Sequence, residues 1–166
     1  ITVEQLQQAQ QALVSPLAQH FTEAERAVGD NERELSAYRE QLAARPPRSD
    51  RLALVRRLDA AAQTTALAAL LRYEVGKTQS MLALKAQGQS IDESTLSSKT
   101  TAQEQALRQS SAQAVEAFML FAYRQTPSDQ LGEYVALYEQ EPVSLLLKSS
   151  VQALPKVFAQ RRATLR

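Results

Sequence analysis

The single histidine of this 166-residue chain is the first residue to consider for chemistry. His20 and Glu23 are three positions apart, so on a helix they share one face and present two metal-ligand types to the same point. Zinc and iron sites normally take three or four protein ligands, and no third ligand follows at a matching spacing. A nucleophile activated by histidine would also have to be built around His20. We therefore expect a surface or packing role for His20, and no metal site.

Four carboxylates fall in the stretch TPSDQLGEYVALYEQEP, residues 126–142: Asp129, Glu133, Glu139 and Glu141. Two such groups can act as an acid/base pair. Glycoside chemistry of this kind usually comes with aromatic platforms, but the chain has no tryptophan. Tyr134 and Tyr138 are instead spaced for packing, with their hydroxyls expected to reach water. We expect a solvated helix face and no catalytic residue.

Composition excludes several further classes of function. The four glycines are isolated, so no phosphate loop, dinucleotide fingerprint or Gly-x-Ser-x-Gly elbow can be assembled, and no cofactor is expected. The chain has no cysteine, which excludes disulfides and thiol chemistry. Its 19 basic and 18 acidic residues are interleaved and leave a net charge of +1, which argues against nucleic acid as a partner.

Five arginines cluster around the start of a predicted helix: Arg45, Arg48, Arg51, Arg56 and Arg57. Positive charge near a helix N-terminus opposes the macrodipole and costs a few tenths of a kcal/mol per charge unless partners compensate. The cluster is therefore a candidate surface for an anion or a protein partner. The alternative is a solvated face paired with nearby acids. Three more arginines end the last predicted helix, where cations suit the dipole, and we expect no further role for them: Arg161, Arg162 and Arg166.

The elements that position these residues are all predicted to be helices. Helix-forming Ala, Gln, Leu, Glu and Arg are abundant, and no run alternates polar and apolar residues as a half-buried strand would. With 44% hydrophobic and 22% charged residues, the balance is that of a globular protein. We predict one all-α domain over residues 1–166, an irregular bundle of about six helices, two of them long. No apolar run approaches the ~20 residues of a transmembrane helix.

Caps and breakers set the predicted helix limits in the first half of the chain. Thr2 and Gln5 predict a capping box at the start of the first helix. Ser15-Pro16 leaves two possibilities open, a second helix capped by Ser15 or one helix kinked at the proline. Residues 49–88 are predicted to form one long helix with a weak point at Gly76, or two helices that break there.

Caps and prolines also set the predicted helix limits in the second half of the chain. A helix is expected over about residues 96–123. Thr126 is predicted to cap the next helix, with Pro127 at its first position. Pro142 should end that helix and open the last one. Pro155 lies inside the last helical pattern and should bend it.

Two segments near the C-terminus, TPSD at 126–129 and LYEQEPV at 137–143, carry a family resemblance. They resemble the "Thr-x-x-Glu" helix start and the "Phe-Tyr-x-Ser-Pro-x-Gly" block of a bacterial secreted helical family, domain of unknown function 2059. Tyr138 and Pro142 match the block, whereas its first aromatic, its serine and its glycine are replaced. The resemblance implies an all-helical periplasmic protein and assigns no functional residue.

These observations predict a non-enzymatic, periplasmic protein of the bacterial cell envelope that acts on a protein or envelope partner. The start at Ile1 rather than Met is expected from removal of a signal peptide, or from a chosen boundary. Two alternatives remain. One is a cytoplasmic helical adaptor or scaffold. The other is a ligand-sensing bundle with a small-molecule pocket near Tyr73, Phe121 and Tyr134.

Overall fold

Eight α-helices and no strand make up the computed structural model, which describes all 166 residues. The helices are α1 (Val3–Leu13), α2 (Pro16–Val28), α3 (Glu32–Leu42), α4 (Ser49–Ala62), α5 (Thr64–Ala86), α6 (Glu93–Ala122), α7 (Ser128–Glu139) and α8 (Glu141–Leu165). The predicted all-α class is confirmed. The predicted number of about six helices is too low, because two predicted helices are each divided in two.

The first division lies at Ser15. The Ser15 hydroxyl accepts the backbone N–H of Ala18 at 3.4 Å and donates to the carbonyl of Ala12 at 2.7 Å. Pro16, which has no N–H to leave unpaired, is the first residue of α2. Of the two possibilities at Ser15-Pro16, the structure has the capped second helix. The predicted capping box of Thr2 with Gln5 at the start of α1 is also confirmed.

The second division lies at Gln63, which ends α4 and begins α5 with a left-handed backbone, φ 58°. Asp59, one turn before the break, accepts the backbone N–H of Thr65 at 2.7 Å and its hydroxyl at 2.5 Å. It thereby supplies the cap that Gln63 does not. The prediction of one long helix over residues 49–88 is therefore wrong, because the chain divides at Gln63. The alternative, a break at Gly76, is also wrong, because α5 continues through that residue.

Later helix limits are mostly close to prediction. α6 begins at Glu93, where Asp92 accepts the N–H of Thr95 at 2.7 Å. The predicted cap at Thr126 is wrong: Pro127 occupies the cap position, and no side chain caps α7. Pro142 lies in the first turn of α8, as predicted, and α8 continues past Pro155 to its end at Leu165. Whether Pro155 bends α8 stays a prediction.

The core is built mainly from α2, α4, α6 and α7. Its twelve buried members are Ala18, Phe21, Val55, Leu58, Val115, Met119, Leu120, Tyr123, Leu131, Tyr134, Val135 and Leu137. A smaller apolar cluster joins α5 to the start of α6 through Met81, Ile91 and Leu96. α5 packs along α6, α4 along α7, and α1 along α8. None of the eight helices combines the length and the apolar character needed to cross a membrane.

Candidate functional site

The residues considered first for chemistry are spread over the surface. His20 and Glu23 on α2 are both exposed, and no group of three His, Cys, Asp or Glu side chains lies close enough together to hold a metal ion. The four carboxylates between residues 129 and 141 are exposed as well. One of them, Glu139, pairs with Arg57. None of these groups is placed in a cleft where burial would tune it for catalysis.

The predicted arginine cluster is divided by its partners. Three of its members form exposed ion pairs: Arg48 with Asp50 (3.5 Å), Arg56 with Glu116 (3.1 Å) and Arg57 with Glu139 (2.6 Å). Exposed pairs of this kind contribute little stability because water screens them. Arg45 is exposed and makes no ion pair. Arg51 differs from the other four, since it is only half-exposed and bonds to backbone.

Arg51 joins the start of α4 to the end of α6. Its Nη2 donates to the carbonyl of Tyr123 at 2.8 Å and to that of Thr126, and its Nη1 donates to the Ser128 hydroxyl at 3.3 Å. A cation therefore lies at the negative end of the α6 dipole, which compensates for its position near the start of α4. Arg48, Arg51 and Arg124 also line an open polar groove of about 450 Å³.

A second cluster joins α2 to α7 through tyrosine hydroxyls. The hydroxyls of Tyr123 and Tyr134 both donate to Oε1 of Glu25, at 2.6 and 2.9 Å. The Phe21 ring stacks on the Tyr134 ring with 4.0 Å between centroids. The prediction that the Tyr134 hydroxyl reaches water is therefore wrong. Its bond to Glu25 joins residues 109 positions apart, a relationship that helical spacing does not reveal.

An apolar cavity of about 230 Å³ opens beside this cluster. Its lining residues come from six helices and the link after α6: Glu25, Leu58, Ala62, Thr64, Phe118, Met119, Tyr123, Tyr134, Tyr138 and Leu147. Burial, followed by the neighbouring Glu25 charge, raises the pKa of Tyr123 above its usual range. Burial also raises the pKa of Tyr134 and of Tyr138. All three phenols therefore stay protonated at physiological pH.

The three residues proposed to line one ligand pocket lie apart. Tyr73 lines a groove of about 350 Å³ between α5, α6 and α8. Tyr134 lines the cavity beside Glu25. Phe121 packs against Tyr38 of α3, with 5.5 Å between ring centroids. These residues do not share a pocket, and the two cavities have different walls.

A buried ion cluster at the far end of the molecule was missed by sequence reasoning. Arg162, whose side chain is 1% exposed, donates from Nε to Glu93 Oε2 at 3.1 Å and from Nη2 to Glu93 Oε1 at 2.5 Å. Glu74 lies against the same guanidinium and pairs with Lys77 at 3.2 Å. Arg166 adds a bond to Glu93 at 2.9 Å. The expectation of no role for Arg162 beyond the helix dipole is wrong.

The electrostatics of this cluster favour its charged form. Hydrogen bonds from Arg162, aided by Arg166 and opposed by partial burial, lower the pKa of Glu93 to about 2. Burial alone would lower the pKa of Arg162, but its hydrogen bonds to Glu93 and the nearby charge of Glu74 outweigh burial and raise it. Glu74 Oε2 is 2.7 Å from Arg162 Nη2 without hydrogen-bond geometry, so it is satisfied by charge alone. The cluster holds α5, α6 and α8 together.

One face of α5 is apolar and uncovered. Its members follow at steps of four, four and seven residues, each 36–46% exposed: Leu67, Leu71, Val75 and Leu82. At 100° per residue these positions fall within about 80° of the helix circumference, and they extend over roughly 22 Å. Other large exposed aliphatic residues lie on α1 and α8 or at their ends: Ile1, Val3, Leu6, Val14, Val157 and Leu165.

Comparison with known proteins adds no relative. No protein-family model, no curated protein and no solved structure matches this chain. The resemblance of residues 120–147 to domain of unknown function 2059 stays a prediction.

Proposed function

We propose that this chain is a non-enzymatic helical protein of the bacterial cell envelope that binds a protein partner through the outer face of α5. The exposed apolar stripe of α5 is the observation that carries this proposal. A helix that is apolar on its outer as well as its inner face is normally covered on both. Here the inner face packs on α6 and α8, and the outer face is free.

The charges beside the stripe specify the chemistry of the partner. α5 has four charged residues, of which Glu74 and Lys77 are buried in the ion cluster. The two exposed ones, Arg72 and Lys85, are basic, and neither has a carboxylate partner. They bond only to two serine hydroxyls of α6 and to the backbone carbonyl of Leu165. The face therefore suits an amphipathic helix whose apolar stripe is flanked by Asp or Glu.

A second copy of the chain fits this face less well, because two such faces would bring basic residues together without acids to oppose them. The arginine cluster around the start of α4 is a weaker candidate for the partner surface, because three of its members already form ion pairs with acidic residues. Arg45 and the groove beside Arg51 remain open to an anion. That surface stays a secondary proposal.

The non-enzymatic part of the proposal is supported by where the titratable groups lie. The carboxylates near α7 are exposed, and the buried Glu74 and the partly buried Glu93 are held by basic partners. The buried phenols have a raised pKa and do not supply a base at neutral pH. These placements suit a protein that acts by contact.

The envelope location is supported by the resemblance of residues 120–147. Fractionation of cells that express the natural gene, with the N-terminus of the product read by mass spectrometry, tests it. We expect the protein in the periplasmic fraction, cleaved from a signal peptide. A cytoplasmic, uncleaved product would contradict the location and favour the adaptor or scaffold alternative, with the α5 face still its binding surface.

A further inference from the structure

The cavity beside Glu25 combines one acidic group with a wall of aromatic and aliphatic side chains. Four of its ten lining residues are aromatic, namely Phe118, Tyr123, Tyr134 and Tyr138. Its volume of about 230 Å³ is below the range of about 300–1,000 Å³ that holds drug-sized ligands. The space therefore suits a molecule with only a few heavy atoms.

One carboxylate oxygen of Glu25 has no hydrogen-bond partner in the protein. Both tyrosine hydrogen bonds go to Oε1, from Tyr123 and Tyr134. Oε2 accepts no hydrogen bond from the protein, and it is not sealed from solvent. No lysine, arginine or histidine lies within 4.0 Å of this carboxylate, in contrast to the buried Glu74 of the ion cluster. Within hydrogen-bond and ion-pair distance, the protein therefore supplies this carboxylate with two phenol donors and no cation.

The tyrosines hold this charge in place without neutralising it. Their pKa is raised by burial, so they remain hydrogen-bond donors to Glu25. Stacking of Phe21 on Tyr134 fixes that ring within the core. A carboxylate held by two hydrogen bonds, in a cavity lined by four aromatic side chains, attracts a cation by its charge, and the rings add attraction through their quadrupoles.

We propose that this cavity binds a small organic cation, a protonated or quaternary amine with a short aliphatic body. The cationic group lies against Glu25 and the tyrosine rings, and the methyl or methylene groups pack on Leu58, Met119 and Leu147. This site is independent of the α5 surface. Of the three residues that the sequence predicts for a ligand pocket, this cavity includes Tyr134 but neither Tyr73 nor Phe121.

Titration calorimetry with a matched pair of probes tests the proposal on the unmodified protein. Choline carries the charge, and 3,3-dimethyl-1-butanol has the same shape without it. We expect saturable choline binding with a Kd of about 1 mM or tighter, and at least about tenfold weaker binding of the neutral probe. Equal affinity for the two probes would overturn the proposal in favour of a simple apolar pocket. If choline showed no saturable binding up to about 10 mM, the proposal would also be overturned, and the hydrogen bonds between Glu25 and the tyrosines would have a structural role only.

Two variants on α2 test whether choline binds beside Glu25. Glu25→Gln keeps an acceptor for the tyrosine hydroxyls and removes the charge, so choline affinity should fall at least about tenfold while the neutral probe is unaffected. Glu23→Gln changes an exposed carboxylate on the same helix and should leave both affinities unchanged. Choline binding that survives Glu25→Gln would place the cation elsewhere and contradict the assignment.

Discussion

Glu93 and Arg162, 69 residues apart in the chain, form a two-point ion pair that joins the first turn of α6 to the last turn of α8. Each residue also lies at the helix end whose dipole favours its charge. Because the Arg162 side chain is almost fully buried, its charge depends on this pairing. The pair therefore controls how firmly α8 is held against α5 and α6.

The Glu93 pair predicts an acid-dependent loss of stability. The folded pKa of about 2 lies below the ordinary value of 4.5, so the carboxylate stabilises the fold fully above pH 4.5 and loses that effect as the pH falls to about 2. The contribution at neutral pH is up to about 3 kcal/mol, reduced by the partial exposure of Glu93. Glu93→Gln should lower the free energy of unfolding by urea most at pH 7, and its effect should shrink progressively as the pH falls from 4.5 to about 2.

Glu104→Gln, an exposed carboxylate of the same helix without an ion pair, is the control and should change the unfolding free energy by less than about 0.5 kcal/mol. A Glu93→Gln effect that is as large at low pH as at pH 7 would contradict the ionic account.

Arg51 is predicted to be the one structurally important member of the arginine cluster. Arg51→Ala removes the donor of the Thr126 carbonyl and one of the two donors of the Tyr123 carbonyl, which keeps the N–H of Thr126, and it should cost about 1–2 kcal/mol of unfolding free energy. Arg45→Ala, which removes an exposed and unpaired arginine, should cost less than about 0.5 kcal/mol. Chemical unfolding followed by circular dichroism measures both, and equal costs would refute the capping role.

The break at Gln63 is predicted to depend on Asp59. Asp59→Ala removes both acceptors of Thr65 and should destabilise the protein by about 1–2 kcal/mol. Asp59→Asn keeps an acceptor for the Thr65 N–H and should cost less. Thermal unfolding measures the difference, with the exposed Asp30→Ala as control. If Asp59→Ala did not change the unfolding temperature, the predicted role of Asp59 would be contradicted, and packing would account for the geometry between α4 and α5.

The α5 face is predicted to tolerate charge in the free protein. Val75→Glu replaces a side chain that is 46% exposed, so the unfolding free energy should change by less than about 1 kcal/mol. Val157→Glu on α8, at 55% exposure, is the matched control and should behave alike. A large loss for Val75→Glu alone would show that this face is part of the core, which would remove the basis for a docking surface.

The helical stripes could be predicted from sequence because their periodicity is local. The break at Gln63 could not, since it lies in Ala-rich helix-forming sequence and depends on Asp59 reaching forward across it. The alternative break at Gly76 is wrong, because α5 continues through this residue. The sites depend on pairs such as Tyr123 with Glu25, 98 residues apart, which no spacing rule joins. The pairing of Arg162 with Glu93 escapes sequence analysis for the same reason.

The central claim, a partner helix on α5, is tested most directly by photo-crosslinking in cells of the natural host. A photoreactive amino acid at position 71 samples the stripe, and one at position 157 is the matched exposed control. We predict one dominant protein crosslinked at 71 and not at 157, with the crosslinked peptide an amphipathic helix flanked by Asp or Glu. Arg72→Glu should reduce its yield. Crosslinks at 71 to a second copy of this chain or to lipid, or the same products at both positions, would contradict the proposal.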